Sequence, residues 1–229
     1  MSLEAAALLV AVVAGLWWLA AGWARPPAVV YLEGNIGVGK STVLRLLGGD
    51  ARLQVVPEPL AAWQDVGGLN MLQLYLQDLG RWAYVFHTLA LVTTWEAQRR
   101  QRRAVQVAER SVHSALRLFA ALQRQDGLLG EPHMAVLHRV ARTLLSEMPR
   151  REVFVYLRAP PEVAYRRARA RARPEDAPLP REYFRRLHDR LEAWLLHEEH
   201  SPVWVVDADR ESAEVAAEVR AIADLLLQR

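Results

Sequence analysis

Residues 28–33, 53–57, 104–108, 153–157 and 203–206 are near-continuous apolar runs. A strand with water on one face alternates apolar and polar residues, whereas one buried on both faces reads as an unbroken apolar run. These segments therefore predict five strands of a parallel sheet. Between them, apolar residues recur at helical spacing over 41–47, 70–102, 131–147, 161–173, 180–199 and 211–227, which predicts helices. Strand and helix alternate, and that order predicts an α/β fold: a five-stranded parallel sheet covered by helices on both faces.

Ahead of the first strand, residues 5–23 run nineteen positions without a charge, between Glu4 and Arg25, and include Trp17, Trp18 and Trp23. About 20 apolar residues span a bilayer as a helix, and tryptophan favours its interfaces. The stretch divides the chain into an apolar N-terminal helix, 1–26, and a domain, 27–229. The helix reads either as a membrane anchor or as an element packed on the domain or on a second copy. A cleaved leader opens on a basic region and a mitochondrial transit peptide is rich in Arg and Ser, and this segment has neither feature. With Arg25 on the inner side, the charge bias expects the domain in the cytosol rather than in mitochondria.

Composition narrows the chemistry. With 229 residues, 52% of them apolar and 24% charged, the chain suits one domain with a substantial core. The absence of cysteine excludes disulfides, thiolate metal sites and cysteine nucleophiles. The net charge of +3 is modest, and the arginine-rich segments 99–103 and 166–173 are interrupted, so nucleic acid is not the expected partner. Among the lysine and arginine positions only Lys40 is lysine. A chain that avoids lysine everywhere else points to a place that needs a compact ammonium on a flexible stem, as a phosphate-binding loop does.

Lys40 belongs to Gly34-Asn35-Ile36-Gly37-Val38-Gly39-Lys40-Ser41, a GxxxxGK[ST] motif that follows the first strand and opens the first helix. Such a loop wraps backbone amides around phosphate oxygens, the helix N-terminus adds its positive end, Lys40 reaches the β and γ phosphates, and Ser41 offers a hydroxyl to Mg²⁺. With Thr42 these residues form the expected ATP site. GTPases read guanine through a second motif that contains lysine, and a chain whose sole lysine is Lys40 has none to supply it.

In open α/β sheets ligands bind beyond the carboxyl ends of the strands. There the second strand runs into Pro57-Glu58-Pro59 and the third into Glu109-Arg110-Ser111. Glu58 can take the proton of an attacking hydroxyl, Glu109 can support Mg²⁺, and Arg110 can hold the transferring phosphoryl group. For each residue alone, a strand-end salt bridge is the plainer reading. The helix 161–173 carries Arg167 and Arg171 on one face and Arg166, Arg169 and Arg173 on another, which suits a lid over phosphates on one side and a solvated or acid-paired stripe on the other.

From about Val29 to the C-terminus the sequence resembles the deoxynucleoside kinase family. The resemblance rests on Glu33-Gly34-Asn35-Ile36, Glu58-Pro59 followed by Trp63, Asn70-Met71-Leu72, Arg81-Trp82, Glu109-Arg110-Ser111, Arg171-Ala172-Arg173-Pro174-Glu175, Leu187-His188 and Trp194-Leu195-Leu196. It implies a P-loop kinase that phosphorylates the 5′-hydroxyl of a deoxynucleoside with ATP and Mg²⁺. Glu58 is then the general base, Glu109 and Arg110 serve the reacting centre, and Arg167, Arg171 and Arg173 form the lid with Glu175. Asp176, where the family usually has Glu, binds the sugar 3′-hydroxyl. Trp63 and Trp82 wall the nucleoside pocket, with Phe119 stacking near the base. A homodimer packed through the long helices is also implied.

Four departures bear on the substrate. The family's base-reading Gln falls at His87, and the Tyr that helps hold the 3′-hydroxyl falls at Leu76, with Tyr75 one residue earlier. The Arg and Asp that mark cytidine and purine readers fall at Thr94 and Ala115, which resembles thymidine-accepting members and favours pyrimidines. Two other readings stand beside this one: a catalytically inactive, membrane-tethered relative, and a nucleoside monophosphate kinase, against which Glu58 counts because it would repel a phosphorylated acceptor.

Overall fold

The computed structural model describes residues 27–148 and 150–228, so the stretch 5–23 lies outside it. Five parallel strands, β1 (Ala28–Gly34), β2 (Leu53–Val56), β3 (Val105–Glu109), β4 (Arg151–Arg158) and β5 (Val203–Asp207), lie in the order β2-β3-β1-β4-β5. The helices are α1 (Lys40–Leu47), α2 (Leu60–Gln64), α3 (Met71–Gln77), α4 (Leu79–Gln98), α5 (112–125), α6 (Glu131–Ser146), α7 (Pro161–Arg171), α8 (Arg181–Glu192) and α9 (Ser212–Gln228).

Every residue of β1 is buried. Successive side chains point to opposite faces, so this one strand feeds two cores. Val30 and Leu32 pack with Val105, Val107 and Val155 beneath Val43 and Leu47 of α1 and Val219 of α9. Val29 and Tyr31 pack with Ala108, Phe154 and Tyr156 beneath Leu118 of α5 and Leu187 and Leu191 of α8. A third apolar cluster, with Trp63, Phe86, Leu91, Leu116, Met134 and Leu137, joins α2, α3, α4 and α6 to α5.

Three boundaries differ from the pattern-based reading. The segment 70–102 is two helices, because Asp78 leaves the helical conformation and its side chain accepts from Arg81 N at 3.0 Å, capping α4. Helix α7 stops at Arg171, where Ala172 takes φ of +53° and Pro174 removes an amide donor just beyond. Helix α5 escaped the periodicity because its stretch Ala115–Ala120 is a wide π turn, which breaks the 3.6-residue repeat.

Candidate active site

The P-loop leaves β1 through Gly34, with φ of +148°, passes Gly37 at +79° and Gly39 at +113°, and enters α1 at Lys40. A side chain is excluded at Gly37 by space as well as by φ, since a Cβ there would lie 2.4 Å from Ala164 O and 2.8 Å from Ala168 N of α7. The loop is thus pressed against the helix that carries the lid arginines. It is also tied to α8, because Asn35 Nδ2 donates to Phe184 O at 2.7 Å while its Oδ1 accepts from Ile36 N at 2.8 Å. Lys40 Nζ donates to Asn35 O at 2.8 Å and Gly34 O at 3.2 Å inside the loop. Burial, aided by the nearby Arg110 charge, lowers its pKa to about 7.

Arg110 follows β3 with φ of +66°, an unusual conformation for a long side chain. It is held there by both backbone groups: its N donates to Leu32 O at 3.1 Å and its O accepts from Gln98 Nε2 at 3.0 Å. Its Nη1 donates to Gly34 O at 2.8 Å and lies 3.6 Å from Glu33 Oε2, its Nε lies 3.7 Å from Glu58 Oε1, and its guanidinium covers the Phe119 ring at 4.9 Å. Glu33 is fully buried, its carboxyl pushed up by desolvation, and it also accepts from Ser111 Oγ at 2.7 Å. Glu33 and Gln98 support the reacting centre without reaching it. The sequence signal for Glu33 is a lone acid in an apolar strand.

Beside Lys40, Ser41 Oγ donates to Glu109 Oε1 at 2.9 Å. Among the described residues no cluster of three or more His, Asp or Glu is arranged to hold a metal by itself. A hydroxyl and a carboxylate side by side do fit a hard cation that keeps waters and takes its remaining ligands from phosphate. Thr42 follows in the first turn of α1.

These groups open into a cavity of about 410 Å³, a size suited to a small-molecule ligand. Ile36, Gly37, Lys40, Glu58, Glu109 and Arg110 line its phosphate end, and Trp63, Leu76, His87, Thr94, Ala115 and Phe119 line its apolar end. Ala115 and Phe119 both lie on the π turn of α5. Burial pushes the Glu58 carboxyl upward, against the pull of Arg110. His87 is buried, its Nε2 has no hydrogen-bond partner, and desolvation lowers its pKa to about 4, so the ring is neutral. Trp63 is fixed by a hydrogen bond from Nε1 to Thr93 Oγ1 at 2.8 Å.

Above the cavity, α7 turns into the loop 172–180. Arg171, Arg173 and Asp176 line the cavity, with Arg171 Nη2 2.5 Å from Asp176 Oδ2. Arg169, which pattern alone left as a solvated or acid-paired residue, instead donates Nη1 to Asp176 O at 3.0 Å and Ala177 O at 2.8 Å and Nη2 to Leu179 O. Its guanidinium lies over Tyr165 at 4.9 Å, and Tyr165 packs edge-on against Phe184. One side chain thus fastens the whole loop to α7. The side chain of Glu175 lies outside the described residues.

Two expected residues stand apart. Trp82 is not in the cavity wall, which Leu76 and Leu79 line; it packs half-buried at the rim of the third core beneath Arg81. Arg167 lies behind the P-loop, donating to Ala208 O at 2.6 Å, 3.5 Å from Val38 O and 3.6 Å from Asp209.

The sequence is also similar to known proteins. The sequence is 34% identical over 188 residues to mitochondrial thymidine kinase 2 of Homo sapiens, covering 80% of this chain and 71% of that one. It is 35% identical to the thymidine kinase of Ictalurid herpesvirus 1 (strain Auburn), covering 85% of each. To the mitochondrial deoxyguanosine kinase of Xenopus laevis it is 33% identical over 72% of this chain and 71% of the relative. The sequence pattern of deoxynucleoside kinases matches residues 30–226, nearly the whole described domain, and the chain belongs to the deoxynucleoside kinase family.

Proposed function

We propose that this kinase transfers the γ-phosphoryl group of ATP to the 5′-hydroxyl of a pyrimidine deoxynucleoside, thymidine first. The observation that carries the proposal is that the Glu58 carboxylate and the Lys40 ammonium line one cavity with the Arg110 guanidinium between the loop and the carboxylate. Glu58 takes the proton of the 5′-hydroxyl as it attacks. Lys40, Arg110 and the lid residues Arg171 and Arg173 gather the charge that spreads over the phosphoryl oxygens, and Arg167 steadies the loop from behind. Ser41 and Glu109 would hold Mg²⁺, which compensates phosphate charge when bound.

The substrate preference follows from the apolar end. Trp63 and Phe119 offer flat faces to a base. With Thr94 and Ala115 neutral and small, no charged pair obstructs a 5-methyl group, and His87 lines the same end as a neutral ring.

Assembly and location extend the same reading. Val85 of α4 and Val136 of α6 are exposed beside half-buried Tyr84, Leu89 and Val140, an apolar surface suited to a homodimer through these helices. Among the described residues no helix is long and apolar enough to cross a membrane. Residues 5–23 are proposed to anchor a cytosolic kinase domain.

Transfer from labelled ATP to each of the four deoxynucleosides, with Mg²⁺ and with chelator, tests the proposal. Thymidine monophosphate formed only with Mg²⁺ is the expected result. Deoxyguanosine phosphorylated far better than either pyrimidine would end the substrate assignment, and no product from any nucleoside would favour an inactive relative.

A further inference from the structure

The P-loop, Glu58 and Arg110 stand at the carboxyl ends of the strands, and the opposite edge, roughly 20 Å away along β1, has no part in their chemistry. At that amino edge Ala28 lies level with Val105 and Arg151, and Leu53 with Val105. The loop 99–104, which joins α4 to β3, runs along it. Two glutamines hold the loop. Gln54 Nε2 donates to Arg100 O at 2.9 Å and its Oε1 accepts from Arg102 N at 2.5 Å, while Gln101 Nε2 donates to Ala28 O at 2.8 Å and Arg103 O at 3.0 Å. With its backbone fastened in this way, the loop leaves Arg99, Arg100, Arg102 and Arg103 all exposed.

No carboxylate among the described residues pairs with any of the four. Arg100, Arg102 and Arg103 share a shallow groove with one acid, Glu96. Of the other loops at this edge, 48–52 pairs Asp50 with Arg52, 199–202 pairs Glu199 with Arg117, and 147–150 adds only Glu147. The edge is therefore a positive face without counter-charges of its own, and such a face suits an anionic surface.

The path of the chain selects which surface. Ala28 N donates to Ala104 O at 2.9 Å, so the segment 1–26 joins the domain beside the arginine loop. With residues 5–23 in a bilayer, as proposed above, Pro27 follows only four positions after Trp23, and four residues reach at most roughly 14 Å. The loop is then kept close to the headgroups, whose field extends about 8 Å at physiological salt. A nucleic acid has no such tether. We propose that the arginine loop 99–103 docks on anionic phospholipid headgroups, seating the amino edge of the sheet on the membrane and turning the cavity toward the cytosol. The proposal rests on the anchor reading of residues 5–23. Each arginine near such a surface strengthens attachment about fivefold.

The chain has no cysteine, so one introduced thiol can carry a fluorophore. Ala104→Cys places it on the loop, and Leu69→Cys, between α2 and α3, places it on the cavity side; both positions are exposed. The full chain is reconstituted with vesicles of phosphatidylcholine, with or without phosphatidylserine, that contain a nitroxide-headgroup lipid as quencher. The Ala104→Cys probe is expected to be quenched several-fold more with phosphatidylserine, the Leu69→Cys probe equally in both. Salt that shortens the screening length to about 3 Å should remove the difference, and so should changing all four arginines to glutamine. Those four line no part of the cavity, so kinase activity in detergent should persist and report a folded variant. Equal quenching of the loop probe in the two vesicles overturns the proposal, and the salt series on the unsubstituted loop decides the matter if the fourfold variant does not fold. A duplex DNA oligonucleotide that releases the quenching would reassign the loop to nucleic acid and also overturn it. A chain that floats with neither vesicle sinks the anchor reading and the docking together, whereas flotation with an unquenched loop sinks the docking alone.

Discussion

The Arg110 guanidinium stands 3.7 Å from the Glu58 carboxylate, close enough to steady its charge and too far for a hydrogen bond that would occupy its lone pairs. Glu58 is left with 18% of its side chain exposed, facing the cavity.

This spacing makes Glu58 a base that is held but not consumed. Glu58→Gln is expected to lower kcat by about 10³-fold with little change in ATP affinity. Burial raises the Glu58 pKa, so wild-type activity should fall as pH drops through that raised value, and the acid limb should be absent from the residual activity of the variant. A pH–rate profile of both proteins checks this.

Gly37 and Gly39 differ in a way that substitution can expose. Gly37→Ala combines left-handed strain with a clash against the α7 backbone and is expected to cost about 3 kcal/mol, whereas nothing lies within 4 Å of a Cβ at Gly39. Gly39→Ala should carry only the backbone strain, about 1–2 kcal/mol. Thermal unfolding should therefore rank the first variant well below the second.

Arg169 contacts no reacting group, yet three loop carbonyls depend on it. Removing it should free the loop that carries Arg173 and Asp176. Arg169→Ala is expected to raise the nucleoside KM about tenfold, the worth of roughly one well-placed contact, and to speed tryptic cleavage after Arg171. Arg169→Lys should rescue little, because an ammonium lacks the planar fork that reaches several carbonyls at once.

His87 should be silent in catalysis near neutrality. Its folded pKa of about 4 lies below the unfolded value of about 6.5. The unfolded chain therefore takes up the proton first, and the stability from a neutral His87 is complete above pH ~6.5 and is lost as pH falls toward ~4, by about 3 kcal/mol in total. Denaturant unfolding across that range should show a shallower pH dependence in His87→Gln, and wild-type activity should show no inflection from this ring near pH ~6.5.

The five strands, their parallel arrangement and the P-loop were readable in the sequence because each depends on neighbours along the chain: apolar runs, glycine spacing, a lysine before a serine. Glu58, Glu109 and Arg110 were readable because strand ends fix where they emerge. Gln98 and Arg169 were not, since each acts through backbone groups brought to it by the fold. Trp82 shows the opposite error. The family resemblance put it in the cavity wall, whereas Leu76 and Leu79 line that wall and Trp82 packs against the third core.

Lys40 has a further consequence, for labelling chemistry. It is the only lysine in the chain, and burial in the P-loop brings its pKa to about 7, so a large share of it is uncharged at mildly alkaline pH. An uncharged amine is a nucleophile. A small acylating reagent applied above neutral pH should therefore modify one side chain in this protein, and a bound triphosphate, which favours the protonated form and covers it, should protect that side chain.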